Sequence, residues 1–182
     1  MYQSQFNRSG PGVVKRAPFV LGTLVLLFCG AVSASGQSTA PAHASVRVTG
    51  KVERPLVVSE SDLQTFPRKQ LTVTDEKGAP VTYTGVPVVE LLQRAGAPLG
   101  KQLKGLSMRL FVVVEASDGY QAVFALPEFD PAFTDRAIIL ADRKNGKAML
   151  SPEGPFRLIV EGEKRHARWV REVTALDVEQ AQ

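Results

Sequence analysis

Gly154–Val173 reads GPFRLIVEGEKRHARWVREV, and the fold turns on how that stretch is read. It opens as a strand, Phe156 to Glu161, with Phe156, Leu158 and Val160 on one face and Arg157 and Ile159 on the other. Gly162 breaks the strand. Five cationic or potentially cationic side chains then fall within eight residues, Lys164, Arg165, His166, Arg168 and Arg171, with Trp169 set among them. Guanidinium forks hold phosphate or carboxylate in bidentate fashion, so a cationic cluster just after a buried strand suits an anion, and Trp169 can anchor the loop or stack on a ring. The plainer alternative is a solvated basic turn whose Trp169 is a core plug, since charge runs mostly lie at the surface.

Upstream of this stretch the chain is a series of short strands. Ser45 to Val52 reads as an opening strand with a turn or bulge at Gly50, and Pro55 to Val58 as a short extended piece. Ser59 or Ser61 can cap a single helical turn through Asp62, Leu63 and Phe66, stopped by Pro67. Lys69 to Thr74 and Val81 to Thr84 form a hairpin across Asp75–Gly78. One convincing helix follows, with Pro87 at its first position, Val88, Leu91, Leu92 and Ala95 on one stripe, and Gly96 and Pro98 at its end. Met108 to Ala116 is the strongest strand; both faces are largely apolar, which predicts a central position. It turns at Ser117-Asp118-Gly119 and runs back through Tyr120 to Leu126. Pro127 to Phe133 holds a helical turn, Ala137 to Ala141 is a buried strand, and Asn145-Gly146 is the tip of an exposed hairpin. Val173 to Val178 closes the chain. The sum is an α+β fold, mostly β, with one main helix and short helical turns.

The first residues read differently. Arg8, Lys15 and Arg16 precede an almost wholly apolar run from Phe19 to Val32, and Val32-Ser33-Ala34 offers small residues to signal peptidase. We therefore expect residues 1–34 to be a signal peptide, 35–44 (SGQSTAPAHA) a flexible linker, and 45–182 one folded domain, delivered to the periplasm or secreted. The apolar run is short for a membrane span, so none is expected after cleavage. Lys15-Arg16 is at best a degenerate twin-arginine signal. Without Arg8, Lys15 and Arg16, the 22 basic residues fall to 19 against 18 acidic ones, a balance that gives no argument for nucleic acid. The only cysteine, Cys29, lies in the apolar run, so the mature chain should contain no disulfide, thiolate nucleophile or thiolate metal ligand. No zinc-type spacing of His or Cys and no glycine-rich phosphate loop occurs. Ser117, Asp118 and His166 are the residue types of a serine triad, but no nucleophile-elbow pattern accompanies them.

Taken in order, Gly50-Lys51-Val52-Glu53-Arg54-Pro55-Leu56, Asp62-Leu63 with Pro67, Thr84-Gly85-Val86-Pro87 leading to Leu91-Leu92, Ser117-Asp118-Gly119-Tyr120, Asn145-Gly146, Gly154 to Val160 and Arg165-His166-Ala167-Arg168-Trp169 resemble the molybdopterin-binding domain of sulfite-oxidase-like oxidoreductases. The resemblance spans essentially the whole expected domain. It implies that fold, and a pterin phosphate or substrate anion gripped near Arg165, His166, Arg168 and Trp169. Ser117, Asp118 and Tyr120 match the turn on the pocket side, and Arg157 can reach the same pocket or pair structurally with a carboxylate such as Glu115. The enzymes also supply a cysteine thiolate to molybdenum just after the strand that here ends at Thr74, where this chain has Thr74, Asp75 and Glu76. The segment from there to Gly85 is short for a ligand-bearing loop. These departures predict a member that binds a small anionic ligand, or an envelope protein partner, without catalysis and without a bound cofactor. The alternative is an active molybdopterin-dependent oxidoreductase whose metal is held by the pterin dithiolene alone or by an oxygen ligand such as Asp75. No catalytic or metal-ligating residue is assigned.

Overall fold

The computed structural model describes residues 44–75 and 77–182, so the expected signal peptide and all of the expected linker except Ala44 lie outside the described residues. The strands are β1 (Ser45–Gly50), β2 (Leu56–Ser59), β3 (Lys69–Thr74), β4 (Pro80–Pro87), β5 (Leu110–Ala116), β6 (Gln121–Ala125), β7 (Ile138–Lys144), β8 (Lys147–Ala148), β9 (Arg157–Val160) and β10 (Val173–Gln180). The helices are α1 (Glu60–Leu63) and α2 (Val88–Ala95), with 3₁₀ turns at Gly100–Gln102, Gly105–Arg109, Leu126–Phe129 and His166–Arg168. The fold is mostly strand with one main helix, as the sequence pattern predicts.

Two sheets share one core. The first has the order β2-β1-β10-β5-β6, with β1 and β10 parallel and every other neighbour antiparallel. The second runs β3-β4-β7, and β8 and β9 both pair with β7. Period-two alternation turns Val46 and Val48, Val112 and Val114, and Leu176 and Val178 inward from the first sheet. In the second sheet burial concentrates at β9, where all four residues are buried, and over the first five residues of β7, whereas β3 is mostly exposed. Helix α2 touches β1, β4 and β7 and so bridges the sheets; its stripe of Val88, Leu91, Leu92 and Ala95 is fully buried.

Local chemistry accounts for most boundaries. Ser59 caps α1 through a reciprocal capping box with Asp62, and Leu63 is the residue that turn buries. Gly96 ends α2 in the left-handed conformation, φ 77°. Pro87 closes β4 and stands at the N-cap, one position earlier than expected, because its N–H-free nitrogen can end a ladder as readily as it can start a helix. Expected strand residues Met108 and Arg109 belong instead to the 3₁₀ turn before β5. Asn145 and Gly146, both at positive φ, make the β7–β8 hairpin tip. At the β4–β7 bulge only glycine fits, since a Cβ on Gly85 would lie 2.2 Å from the Leu140 carbonyl oxygen.

Candidate functional site

A cavity of about 580 Å³ opens where four connections from the two sheets meet: the β3–β4 hairpin, the β5–β6 turn, the turn between β8 and β9 and the loop between β9 and β10. The size is that of a small-molecule site. Its cationic lining is Lys77, Lys144, Arg157 and Arg171, and its carboxylates are Asp75, Asp118 and Glu153. His166 and Tyr120 also border it.

The floor is built by Trp169, which is 4% exposed. Its indole Nε1 donates to the Val160 carbonyl at 3.1 Å, which ties the last loop to the end of β9. Backbone bonds from Leu158 N to Val170 O, and from Val173 N to Phe156 O, stitch the same loop along the strand. Side chains three apart eclipse in a 3₁₀ turn, and the His166 ring accordingly stacks on Trp169 with centroids 3.7 Å apart and 12° between planes. Tyr83 meets the indole edge-on at 6.1 Å. Trp169 is therefore both core plug and cavity floor.

Arg157, the first residue of β9, projects between these rings. Its guanidinium carbon lies 5.9 Å from the centroids of both Tyr83 and Trp169. Its Nη1 reaches Glu153 Oε1 at 3.2 Å and makes a marginal 3.5 Å contact with the Tyr83 hydroxyl. Its Nε is buried without a partner in the protein. Lys144 Nζ, at the end of β7, donates to both Glu153 oxygens at 2.8 and 2.9 Å. The Lys144 bond holds the Glu153 carboxyl below its ordinary range against the opposing effect of burial, and the same bond raises Lys144. The other two carboxylates serve turns. Asp75 Oδ1 accepts from the Lys77 and Ala79 amides, the Ala79 bond chiefly lowering its pKa, and Asp118 Oδ1 accepts from the Tyr120 amide.

Of the residues expected at the site, Arg157, Asp118, Tyr120, His166 and Trp169 line the cavity and the other three do not. Tyr120 joins the β5–β6 turn to the last loop, its hydroxyl donating to the Ala167 carbonyl at 2.7 Å. Ser117 Oγ donates instead to Glu172, at the far end of that loop. Arg165 is exposed and absent from the lining. Arg168 lies over the Phe124 ring at 4.4 Å and pairs with Glu128 and Glu163, which Arg136 also reaches, so this expected anion binder is already neutralised within the protein. The structural pairing considered for Arg157 exists, but with Glu153 rather than Glu115. Lys144, Glu153 and Tyr83 were not singled out by the sequence. Their nearest signal is the exposed Asn-Gly tip, which places the end of β7 beside the turn carrying Glu153.

The model of the oxidoreductase molybdopterin binding domain matches residues 34–182. The chain belongs to that family. A search of curated proteins finds no match. Among solved structures, the chain is similar to the sulfane dehydrogenase SoxCD from Paracoccus pantotrophus, with TM-score 0.59 and 23% identity over 75% of this chain and 38% of that one. That likeness is one of fold, and the chain spans well under half of its solved neighbour. The cavity of this oxidoreductase molybdopterin binding domain fits one part of a molybdopterin and not another. Four cationic side chains, one of them the buried Arg157 with an unpartnered Nε, suit the anionic part. The metal end finds no thiolate, since the described lining contains no cysteine.

Proposed function

We propose that this member of the oxidoreductase molybdopterin binding domain family is an exported, non-catalytic binding module that holds a small anionic ligand in the cavity floored by Trp169. The observation that carries the reading is a described lining with four cations against three carboxylates, two of which are taken up by backbone amides, and with no thiolate. The cations supply charge-assisted bonds to an oxyanion, while a soft metal centre lacks the sulfur it would take from the protein. Export is supported by the basic, then apolar, then small-residue layout of residues 1–34. The test is to express the full chain in a molybdenum-supplied bacterial host, purify the protein from the envelope, measure molybdenum and pterin, and titrate it with sulfate by calorimetry. Saturable sulfate binding with far less than one molybdenum per chain is the expected result. Stoichiometric molybdenum together with oxidation of a small substrate would overturn it.

One observation favours a second reading, an active molybdopterin-dependent oxidoreductase with an oxygen ligand: Asp75 lines the same cavity. Against it, Asp75 Oδ1 already accepts two backbone amides. If Asp75 were the ligand, Asp75→Asn would lose molybdenum that the wild type retains.

A further inference from the structure

Two cations of the cavity wall are already bridged by an anion, and the anion is the protein's own. Glu153 presents both oxygens to Lys144 at 2.8 and 2.9 Å and one to Arg157 at 3.2 Å. The exposure is uneven: the Arg157 side chain is 11% accessible and the Glu153 side chain 36%. The arginine is part of the wall, whereas the carboxylate is on the side open to solvent. Glu153 also sits on a small turn, in which its own amide and that of Gly154 donate to the Leu150 carbonyl at 3.0 and 2.9 Å. Gly154 is packed against Met149, where a Cβ would come within 2.5 Å of the methionine Cβ, which holds the backbone of the turn, and the 36% exposure of the Glu153 side chain leaves it solvent on one side. Asp75 and Asp118, the other lining carboxylates, are committed to backbone amides and bridge no cation.

We propose that Glu153 is the resident occupant of the anion seat and sets its selectivity, so that a monocarboxylate does not displace it and a tetrahedral dianion of the sulfate or phosphate type does. This rests on the reading that the cavity holds an anion. Exchanging Glu153 for a free monocarboxylate swaps like for like, and the tethered group wins because its effective concentration is in the millimolar range or above. A tetrahedral dianion brings a second charge and more acceptor oxygens than a carboxylate, and it adds these to Lys144 and Arg157 while Glu153 swings into water.

The experiment is calorimetric titration of sodium sulfate and sodium acetate, at constant ionic strength, into the wild-type protein, Glu153→Gln and Asp118→Asn. Quenching of Trp169, the only tryptophan, gives a second readout at the cavity floor. Wild type is expected to bind sulfate and to show no saturable binding of acetate. Glu153→Gln should bind sulfate about tenfold more tightly and should bind acetate saturably, because the charge-assisted bonds to Lys144 and Arg157 become available. Asp118→Asn removes a lining carboxylate of the same charge that bridges no cation, so it should gain less for sulfate than Glu153→Gln and should not bind acetate saturably. If Glu153→Gln does not fold, Glu153→Ala is measured in its place. Wild-type sulfate binding with no gain in either Glu153 variant would sink the selectivity role and leave the anion reading standing. An equal gain in Asp118→Asn would also sink it, since any lost negative charge would then do. Absence of sulfate binding in every protein would remove both readings together.

Discussion

Arg157→Met separates the arginine's role in the fold from its role in the site. Methionine keeps an unbranched stem of similar length against Tyr83 and Trp169 and drops the charge. The fold then loses the pair with Glu153, a carboxylate 36% exposed, which is worth about 0–1 kcal/mol. It also loses two cation–ring contacts at 5.9 Å, the far edge of their useful range, together about 0.5–1 kcal/mol. In return it no longer buries an unpartnered Nε, a relief of about 1–3 kcal/mol. These terms nearly cancel, so the melting temperature should stay within about 5 °C of wild type, given roughly 3–5 °C per kcal/mol for a domain of this size. Sulfate binding should behave differently: one charged hydrogen bond of about 1.5–3 kcal/mol is lost, offset by up to about 1 kcal/mol because Glu153 no longer has to be drawn off Arg157, so affinity weakens roughly 2- to 150-fold. Differential scanning calorimetry and titration on the same preparations check both halves. A melting temperature lower by more than about 10 °C with sulfate affinity intact would refute the reasoning, because Arg157 would then be a structural residue.

The other arginine of the last loop should show the reverse pattern. Arg168→Ala breaks two partly exposed ion pairs and uncovers Phe124, so we expect a loss of about 1–3 kcal/mol in urea unfolding with sulfate affinity unchanged. Arg68→Ala leaves the Asp142 carboxylate, 2% exposed, with only the Gln64 amide at 2.9 Å; the stranded carboxylate costs about 3–5 kcal/mol and losing the buried, unpartnered Arg68 Nη1 returns about 1–3, so a net loss of roughly 2 kcal/mol is expected, partly restored by adding Asp142→Asn. The Lys144–Glu153 pair makes a pH prediction. Because the folded Glu153 carboxyl titrates below its ordinary 4.5, its contribution is complete above that value and is lost as pH falls through the lower folded value. Acid unfolding profiles of wild type and Glu153→Gln should therefore differ above pH 4.5 by a constant offset and converge below it.

The elements whose signals are local were legible in the sequence, and the partnerships between distant elements were not. Helix α2 could be read because its stripe and its terminal Gly96 lie within one window, and α1 because Ser59 and Asp62 are three residues apart. The central place of β10 in the first sheet could not, since nothing in its alternation names β1, more than 120 positions earlier, as a parallel partner. The same distance effect divided the candidate site. Arg157 and Arg168 look alike in sequence, yet Arg168 is neutralised partly by Glu128, 40 positions away, while Arg157 enters the cavity. Lys144 and Glu153 were missed because their meeting depends on the path of the turn after β8, which no periodicity encodes.

The two sequence readings of the last loop, anion site or solvated turn over a core plug, are not alternatives in the folded chain. Trp169 can floor a cavity only because it is a plug: its Nε1 is fixed to β9 and its faces are taken by His166 and neighbouring side chains. Fixing the indole leaves the short 3₁₀ turn no freedom over which way its side chains point. His166 is directed to the cavity and Arg168 to Glu128 and Glu163. A basic run read as one patch is thus divided between the cavity and an internal ion-pair cluster, and the cavity draws further cations, Lys144 and Arg157, from the strands of the second sheet. Charge density along a sequence measures neither part; the plug that sorts the charges does.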